Sequence, residues 1–243
     1  MSKQTEMYLE LLKRMVLNTI YKDDNMGPFA ALKYSEEQRH QGHSWPSKAH
    51  TMIGRLRLDN IHDALDYART HNIPGDFIET GVWRGGASIF VRGYYKVHNE
   101  ARTAWLADSF EGLPPPSAQY PVDNNSAFHA FEELKVSLEE VQDNFKAYGL
   151  LDDGVQFLKG WFKDTLHKAP IEKLSVLRLD GDMYESTIQT LDALYDKVSP
   201  GGWVIVDDYW IHNCKAAVDD FRAAHGIDCG IASIDWTGIY WIK

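Results

Sequence analysis

Several features that define common protein classes are missing from this chain of 243 residues. Cysteine occurs only at Cys214 and Cys229, without the spacing of a metal-binding pair, which suits a reducing compartment. No apolar run approaches the length of a membrane span, and the first residues lack the continuous apolar core of a signal peptide. These absences predict a soluble, cytoplasmic protein that does not engage a membrane.

The chain also has few positively charged residues and lacks two nucleotide-binding motifs. The chain has 25 Lys and Arg against 35 Asp and Glu, a net charge of -10, and no basic block, so it is not expected to bind nucleic acid. The segment GDFIETGVWRGGASIF (residues 75–90) departs from the G-x-G-x-x-G dinucleotide fingerprint and lacks the lysine of a P-loop. Its strand, glycine turn and helix still predict a ligand close to the backbone at Gly81.

The remaining sequence is typical of an α/β protein, with 44% apolar and 25% charged residues. Residues 1–72 predict N-terminal helices, over 7–20 and 58–68, and an irregular cover or lid over 22–47. Residues 73–243 predict the catalytic core of what is overall a single structural domain. The sheet should contain seven mostly parallel strands, closed by a hairpin over 227–234 and 238–242 that contributes an antiparallel last strand.

The centre of the pattern is the unit KLSVLRLDGDMYESTIQTLDALYDKVSPGGWVIVDDY, residues 173–209. Strands are expected over 175–179 and 203–206, joined by a helix that Pro200-Gly201-Gly202 should end. Because the strands of such a unit are parallel, Asp180 and the pair Asp207-Asp208 should meet at the carboxyl edge of the sheet. Converging carboxylates favour a divalent cation, although a single Asp after a strand often only caps a turn.

Two further acids follow the first and second strands. Glu79 could hold a substrate ammonium, or could instead form a structural salt bridge with Arg84 or Arg92. Asp108 ends the strand expected over 103–107, where doubly wound folds bind ribose hydroxyls. This combination favours S-adenosylmethionine over NAD. After the next strand, over 155–158, Trp161 could wall an adenine or belong to the core.

Five motifs in order then resemble one known family: FIETGVWRGGASI, ADSFEGLPPP, LKGWFKDTL, LRLDGDMYEST and GGWVIVDDY. The chain resembles the macrocin O-methyltransferases over nearly its whole length. The resemblance implies a class I methyltransferase fold with a Rossmann-like sheet, S-adenosylmethionine as donor, Mg²⁺, a sugar hydroxyl as acceptor and a homodimer or larger homo-oligomer. It implies Asp180, Asp207 and Asp208 as metal ligands and Asp182 as general base. The implied cofactor residues are Met52, Glu79, Thr80, Gly81, Ser88, Asp108, Ser109, Gly160, Trp161 and Asp180.

Several alternatives stay open at this point. His212 is a second candidate base, in a stretch (Trp210-Ile211-His212) where the family pattern has a small residue. A catechol-type methyltransferase would use the same metal on an aromatic diol, which Trp45, Tyr184 and Trp210 could enclose. A non-catalytic metal-binding protein of the same fold is also possible, while an NAD-dependent oxidoreductase is disfavoured by Glu79. The acceptor, expected to be a small glycosylated or polyhydroxylated molecule, should be selected by residues 22–47 and 112–126.

Overall fold

A computed structural model describes residues 2–243. Its α-helices are α1 (Lys3–Val16), α2 (Glu36–Gln41), α3 (Gly54–Thr70), α4 (Gly86–His98), α5 (Leu138–Ala147), α6 (Phe162–Thr165), α7 (Tyr184–Leu194) and α8 (His212–Ala224). The strands are β1 (Asp76–Thr80), β2 (Ala104–Asp108), β3 (Val155–Lys159), β4 (Leu174–Leu179), β5 (Val198–Val206), β6 (Ala232–Ser233) and β7 (Ile239–Ile242). Among these residues, no helix is both long and apolar enough to cross a membrane.

The seven strands form one sheet in the order β3-β2-β1-β4-β5-β7-β6. Strands β1 to β5 pair in parallel, and β7 pairs antiparallel with β5, which confirms the predicted sheet. Successive strand residues point to opposite faces. Phe77 therefore joins a core with α1, α3, α4 and α5, while Ile78 joins a second core with α7 and α8. Helices thus cover both faces and leave the carboxyl edge of the sheet for a ligand.

The end of the central helix differs from the prediction. Helix α7 ends at Leu194, a short 3₁₀ turn follows over Tyr195–Lys197, and β5 already begins at Val198. Pro200-Gly201-Gly202 therefore lies inside β5, where the pairing with β4 shifts register. Gly201 has a φ of 81°, a value that favours glycine, so the segment is an irregularity within the strand.

Three other segments also differ from the predicted structure. The first helix ends four residues early, at Val16, because Asn18 takes a left-handed backbone conformation (φ 50°). The segment 22–47 is not wholly irregular, since it contains α2 and a 3₁₀ turn at Gly27–Phe29. In the closing hairpin only Ala232–Ser233 pairs with β7, so the strand expected over 227–234 is much shorter.

Candidate active site

Three carboxylates gather where β4 and β5 end, as the sequence predicted. The N–H of Asp180 donates to the carbonyl of Thr80 at 2.8 Å, and the N–H of Asp207 donates to that of Leu179 at 2.9 Å. These bonds continue the sheet ladder one residue past each strand and fix both aspartates at its edge. One oxygen each from Asp180, Asp207 and Asp208 then lies within 4.8 Å of the others. This spacing allows a single ion to contact all three.

A buried arginine on β4, which the sequence reasoning missed, links these acids. Arg178 is fully buried, and its guanidinium lies 2.9 Å from Asp180, 2.7 Å from Asp207 and 2.5 Å from Glu79. Glu79 therefore has a structural ion pair, but its partner is neither Arg84 nor Arg92. The signal for Arg178 was a single charge within the otherwise apolar strand LSVLRL.

A second missed arginine approaches from α3. Arg57 Nη1 lies 2.5 Å from Asp207 Oδ2, and its Nε lies 2.8 Å from Asp235 Oδ2. Both partners are buried, so the two ion pairs are shielded from solvent. The pairs tie α3 and the turn before β7 to the acidic cluster.

Acidic groups outnumber the basic groups that neutralise them. Around Arg57 and Arg178 lie six carboxyl groups, those of Glu79, Asp180, Asp182, Asp207, Asp208 and Asp235. Burial, together with the negative charges of Asp180 and Asp207, raises the pKa of Asp182 to about 7. Burial and neighbouring aspartates also raise the pKa of Asp208 well above its ordinary value. A positive ligand would relieve this repulsion.

The donor set fits a hard divalent cation. Asp208 is 8% exposed, and within residues 2–243 its Oδ2 has no hydrogen-bond partner. Asp207 Oδ1, in contrast, lies 2.7 Å from Arg178 Nη2 and is neutralised by that ion pair. Buried carboxylate oxygens left without partners are costly, and carboxylate oxygens are the ligands that Mg²⁺ prefers. Asp180, Asp207 and Asp208 could therefore hold such an ion.

The cluster opens into a cavity of about 540 Å³. Ten of the residues predicted for the site lie on its wall: Met52, Gly81, Asp108, Ser109, Gly160, Trp161, Asp180, Asp182, Asp207 and Asp208. Trp161, left open between cavity and core, is half-buried and faces the cavity. Glu79, Thr80 and Ser88 are buried and are not part of the wall formed by the described residues. Ser88 donates to Glu79, so these side chains support the wall from behind.

The wall near β1 and β2 has a backbone that a ligand can approach closely. Gly81 has a φ of 94°, and a Cβ there would lie 1.6 Å from the carbonyl oxygen of Asp180, so only glycine fits. Asp108 accepts hydrogen bonds from the N–H groups of Val82 at 2.7 Å and Phe110 at 2.8 Å. These bonds hold its carboxylate at the cavity edge and leave it further lone pairs for a ligand.

Both segments predicted to select the acceptor reach the cavity. Phe29, Gly42, Ser44 and Trp45 come from residues 22–47, and Gly112 to Pro115 and Ser117 from residues 112–126. The first segment is held by the buried Arg39, which donates to Asp23 at 3.0 Å and to the carbonyl of Leu17 at 2.6 Å. Residues 22–47 therefore reach the cavity from packed, hydrogen-bonded chain.

The two candidate bases, Asp182 and His212, lie in different surroundings, and so do the three aromatics expected around a catechol. Asp182 lies on the cavity wall in a left-handed backbone conformation, with a φ of 56°. His212 is exposed and lies outside the wall that residues 2–243 form. Of the three aromatics expected to enclose a catechol, Trp45 lines the cavity, whereas Tyr184 and Trp210 do not within the described chain. Asp182, unlike His212, therefore lies where a molecule bound in the cavity could reach it.

This strand order, with helices on both faces and a carboxylate-rich cavity at the carboxyl edge, defines a class I methyltransferase with a Rossmann-like fold. The chain belongs to the macrocin-O-methyltransferase (TylF) family, whose model matches residues 5–243. It is therefore an O-methyltransferase.

Several known proteins are similar to this chain over almost their full length. The 8-demethyl-8-(2,3-dimethoxy-alpha-L-rhamnosyl)-tetracenomycin-C 4'-O-methyltransferase of Streptomyces olivaceus is 48% identical, over 97% of this chain and 92% of that protein. The mycinamicin III 3''-O-methyltransferase of Micromonospora griseorubida is 47% identical, over 99% of this chain and 97% of that protein. The solved structure of the O-methyltransferase NovP superposes with a TM-score of 0.95 at 48% identity, covering 98% of this chain and 99% of that one.

Proposed function

We propose that this enzyme transfers a methyl group from S-adenosylmethionine to a sugar hydroxyl of a glycosylated natural product, with Mg²⁺ at its acidic cluster. The observation that carries the proposal is the meeting of Asp180, Asp207 and Asp208 within 4.8 Å, on the wall of the cavity that Gly81 and Asp108 also line. The nature of the acceptor is supported by the rhamnosyl-tetracenomycin in the name of one relative.

The donor would occupy the side of the cavity formed by the ends of β1, β2 and β3. Asp108 is placed to accept hydrogen bonds from ribose hydroxyls, and Gly81 lets the backbone approach the amino-acid portion. Trp161 offers an aromatic surface to the adenine. Glu79 supports this wall from behind, where it pairs with Arg178 and accepts a hydrogen bond from Ser88.

The metal would be held by Asp180, Asp207 and Asp208, which contribute only hard oxygen ligands. When bound, Mg²⁺ supplies Lewis acidity that lowers the pKa of an acceptor hydroxyl. Arg57 and Arg178 keep the Asp207 carboxylate in place from two directions. Their guanidiniums also lessen repulsion among the acids while the site is being assembled.

Asp182 is the proposed general base. The acceptor hydroxyl gives its proton to a carboxylate oxygen of Asp182, its oxygen forms the bond to the methyl carbon, and the carbon–sulfur bond breaks. A pKa of about 7 suits proton transfer near neutral pH. The sulfonium methyl is already electrophilic, so most of the remaining work is positioning the two reactants in line.

The test is an incubation of the purified protein with Mg²⁺, S-adenosylmethionine labelled in its methyl group, and two kinds of acceptor. One set contains rhamnosylated polyketides, and the other contains their sugar-free aglycones and a simple catechol. Mass spectrometry should find the label on the sugar. Labelling of catechol or aglycone alone, or donor binding without any transfer, would contradict the proposal.

A further inference from the structure

The turn between β6 and β7 presents a tryptophan to the cavity. Trp236 is 52% exposed and lies on the cavity wall. Its Nε1 donates to the carbonyl of Gln41 at 2.9 Å, and its ring meets the ring of His43 edge-on, with centroids 4.7 Å apart. Contacts with residues 22–47 therefore hold the exposed indole of Trp236 in one orientation.

The turn itself is fixed by hydrogen bonds. Asp235 Oδ1 accepts from the N–H groups of Thr237 at 3.0 Å and Gly238 at 2.7 Å. Across the turn, the N–H of Ile234 donates to the carbonyl of Gly238 at 2.8 Å. A ligand that stacks on Trp236 would meet a preorganised surface and would lose little affinity to ordering the protein.

Arg57 connects this turn to the acidic cluster. Its guanidinium binds Asp235 at 2.8 Å and Asp207 at 2.5 Å, and its central carbon lies 5.9 Å from the Trp236 ring centroid. One arginine side chain thus spans the distance between the indole and a proposed metal ligand. A molecule resting on the indole would have its polar groups close to the cluster.

The order of strands separates Trp236 from the proposed donor site. Gly81 and Gly160 follow β1 and β3, and Asp108 is the last residue of β2, so all three lie on one side of the cluster at β4 and β5. Trp236 precedes β7, on the other side. The acid cluster therefore lies between the donor residues and the indole, which is the arrangement that a transfer between two bound molecules requires.

We infer that Trp236 is the acceptor-binding platform, with its indole stacked on the apolar C–H face of the sugar that carries the reacting hydroxyl. The inference rests on the proposed function and adds the residue that receives the sugar. An aromatic face beside a few convergent polar groups is the usual composition of a small-molecule site.

Kinetics with a glycosylated acceptor test the assignment. Trp236→Ala should raise the acceptor KM roughly tenfold while kcat stays within about twofold, because stacking contributes to ground-state and transition-state binding alike. The dissociation constant for S-adenosylmethionine should not change. Trp236→Phe should restore most of the affinity, and thermal unfolding would show whether either variant folds poorly.

Trp210 provides a matched control. It is 56% exposed and close in sequence to Asp207-Asp208, but lies outside the cavity wall of the described chain. Trp210→Ala should leave the acceptor KM unchanged. A second readout needs no turnover: saturation-transfer NMR with methyl α-L-rhamnoside, S-adenosylhomocysteine and Mg²⁺ should show contact that Trp236→Ala removes and Trp210→Ala retains.

Two results would overturn the inference. One is unchanged sugar contact and unchanged acceptor KM in folded Trp236→Ala. The other is weakened donor binding in that variant with normal acceptor KM, which would place the indole against the adenosyl group. Failure of the proposed function looks different, because the wild-type enzyme would then methylate no glycosylated acceptor at all.

Discussion

Asp182 combines an unfavourable backbone conformation with an unfavourable charge. Its φ of 56° lies in a region that residues other than glycine seldom adopt, and burial with nearby aspartates raises its pKa to about 7. Residues that keep such costs are concentrated in functional sites. The position on the cavity wall gives this residue access to a molecule bound in the cavity.

The first prediction concerns this residue. Asp182→Asn preserves side-chain size and tolerance of a left-handed backbone, but removes the proton acceptor. Turnover should fall by at least about 100-fold, while the affinity for S-adenosylmethionine stays near normal. His212→Ala is the control and should remain active, because His212 is exposed and away from the cavity wall. An inactive His212→Ala beside an active Asp182→Asn would reverse the assignment.

Some residues of the site could be predicted from the sequence and others could not. Asp180, Asp207 and Asp208 were predictable because strand ends carry a fixed geometry, and parallel neighbours must bring them together. Arg57 and Arg178 were not, since the pairing of a buried charge depends on distant elements. Arg57 meets Asp207 and Asp235, respectively 150 and 178 positions further along the chain. Local patterns do not carry that information.

At the level of elements, α7 obtains its N-terminal cap from a distant loop. The N-cap residue Met183 makes no side-chain capping bond within the described chain. Instead, the buried Asp123 accepts from the N–H groups of Tyr184 and Glu185, each at 2.9 Å. Its Oδ1 also accepts from Asn213 on α8 at 2.7 Å. Asp123 thereby ties residues 112–126 to the helix that follows Asp180 and Asp182.

The second prediction follows from this cap. Asp123→Ala should lower the free energy of unfolding by about 2 kcal/mol, because buried N–H groups lose their acceptor, and turnover should also fall. Denaturant unfolding and steady-state kinetics would measure the two effects.

Ser137→Ala supplies the comparison for the capping experiment. Ser137 caps α5 by accepting from the N–H of Glu140 at 3.1 Å, at an exposed position. Its loss should cost about 1 kcal/mol and leave turnover unchanged. If Asp123→Ala had no effect on stability, or if both variants lost activity equally, the cap would not be coupled to the site.

Element boundaries illustrate a second limit on sequence reasoning. The strands of the core were predictable from local residue types. Pro200-Gly201-Gly202 was misassigned because the same residues that end helices also form irregularities inside strands. Pairing with β4 decides between the two outcomes, and it is a tertiary contact.

At the scale of the whole molecule, the sheet places an excess of negative charge in a buried position. Burial raises the pKa of Glu79 to about 7, and the pKa values of Asp180, Asp182 and Asp208 are also raised by burial. In the unfolded chain such groups ionise near pH 4. Between about pH 4 and pH 7 these four groups therefore hold more protons in the metal-free folded state than in the unfolded state.

The third prediction is the pH dependence of stability. A raised pKa in the folded state means that stability is lost as pH rises, so the contribution of these carboxyl groups should be less favourable at pH 8 than at pH 5. Burial lowers the pKa of His50, His62 and His98, which acts in the opposite direction, so the contribution is measured as the difference between wild type and Asp208→Asn, in which the histidines cancel. The difference should be on the order of 2 kcal/mol, measured by denaturant unfolding in the presence of chelator. Mg²⁺ should recover more stability at pH 8 than at pH 5, because it binds the ionised carboxylates.

Asp208→Asn should flatten this pH profile and weaken the effect of Mg²⁺. Equal slopes for wild type and Asp208→Asn between pH 5 and pH 8 would show that ionising Asp208 carries no cost in the folded protein.

The overall fold was the most predictable level, since alternating apolar strands and amphipathic helices specify a doubly wound sheet. The balance of acidic and basic groups at the carboxyl edge of the sheet could not be predicted, because it depends on the positions of Arg57 and Arg178 in the folded protein.

The most direct measurement of the central claim is methyl transfer to a glycosylated acceptor after removal of divalent cations. Enzyme treated with chelator and then freed of it should lose nearly all activity, and added Mg²⁺ should restore it in wild type but much less in Asp208→Asn. Methyl transfer at the full rate by the chelator-treated enzyme would contradict the account.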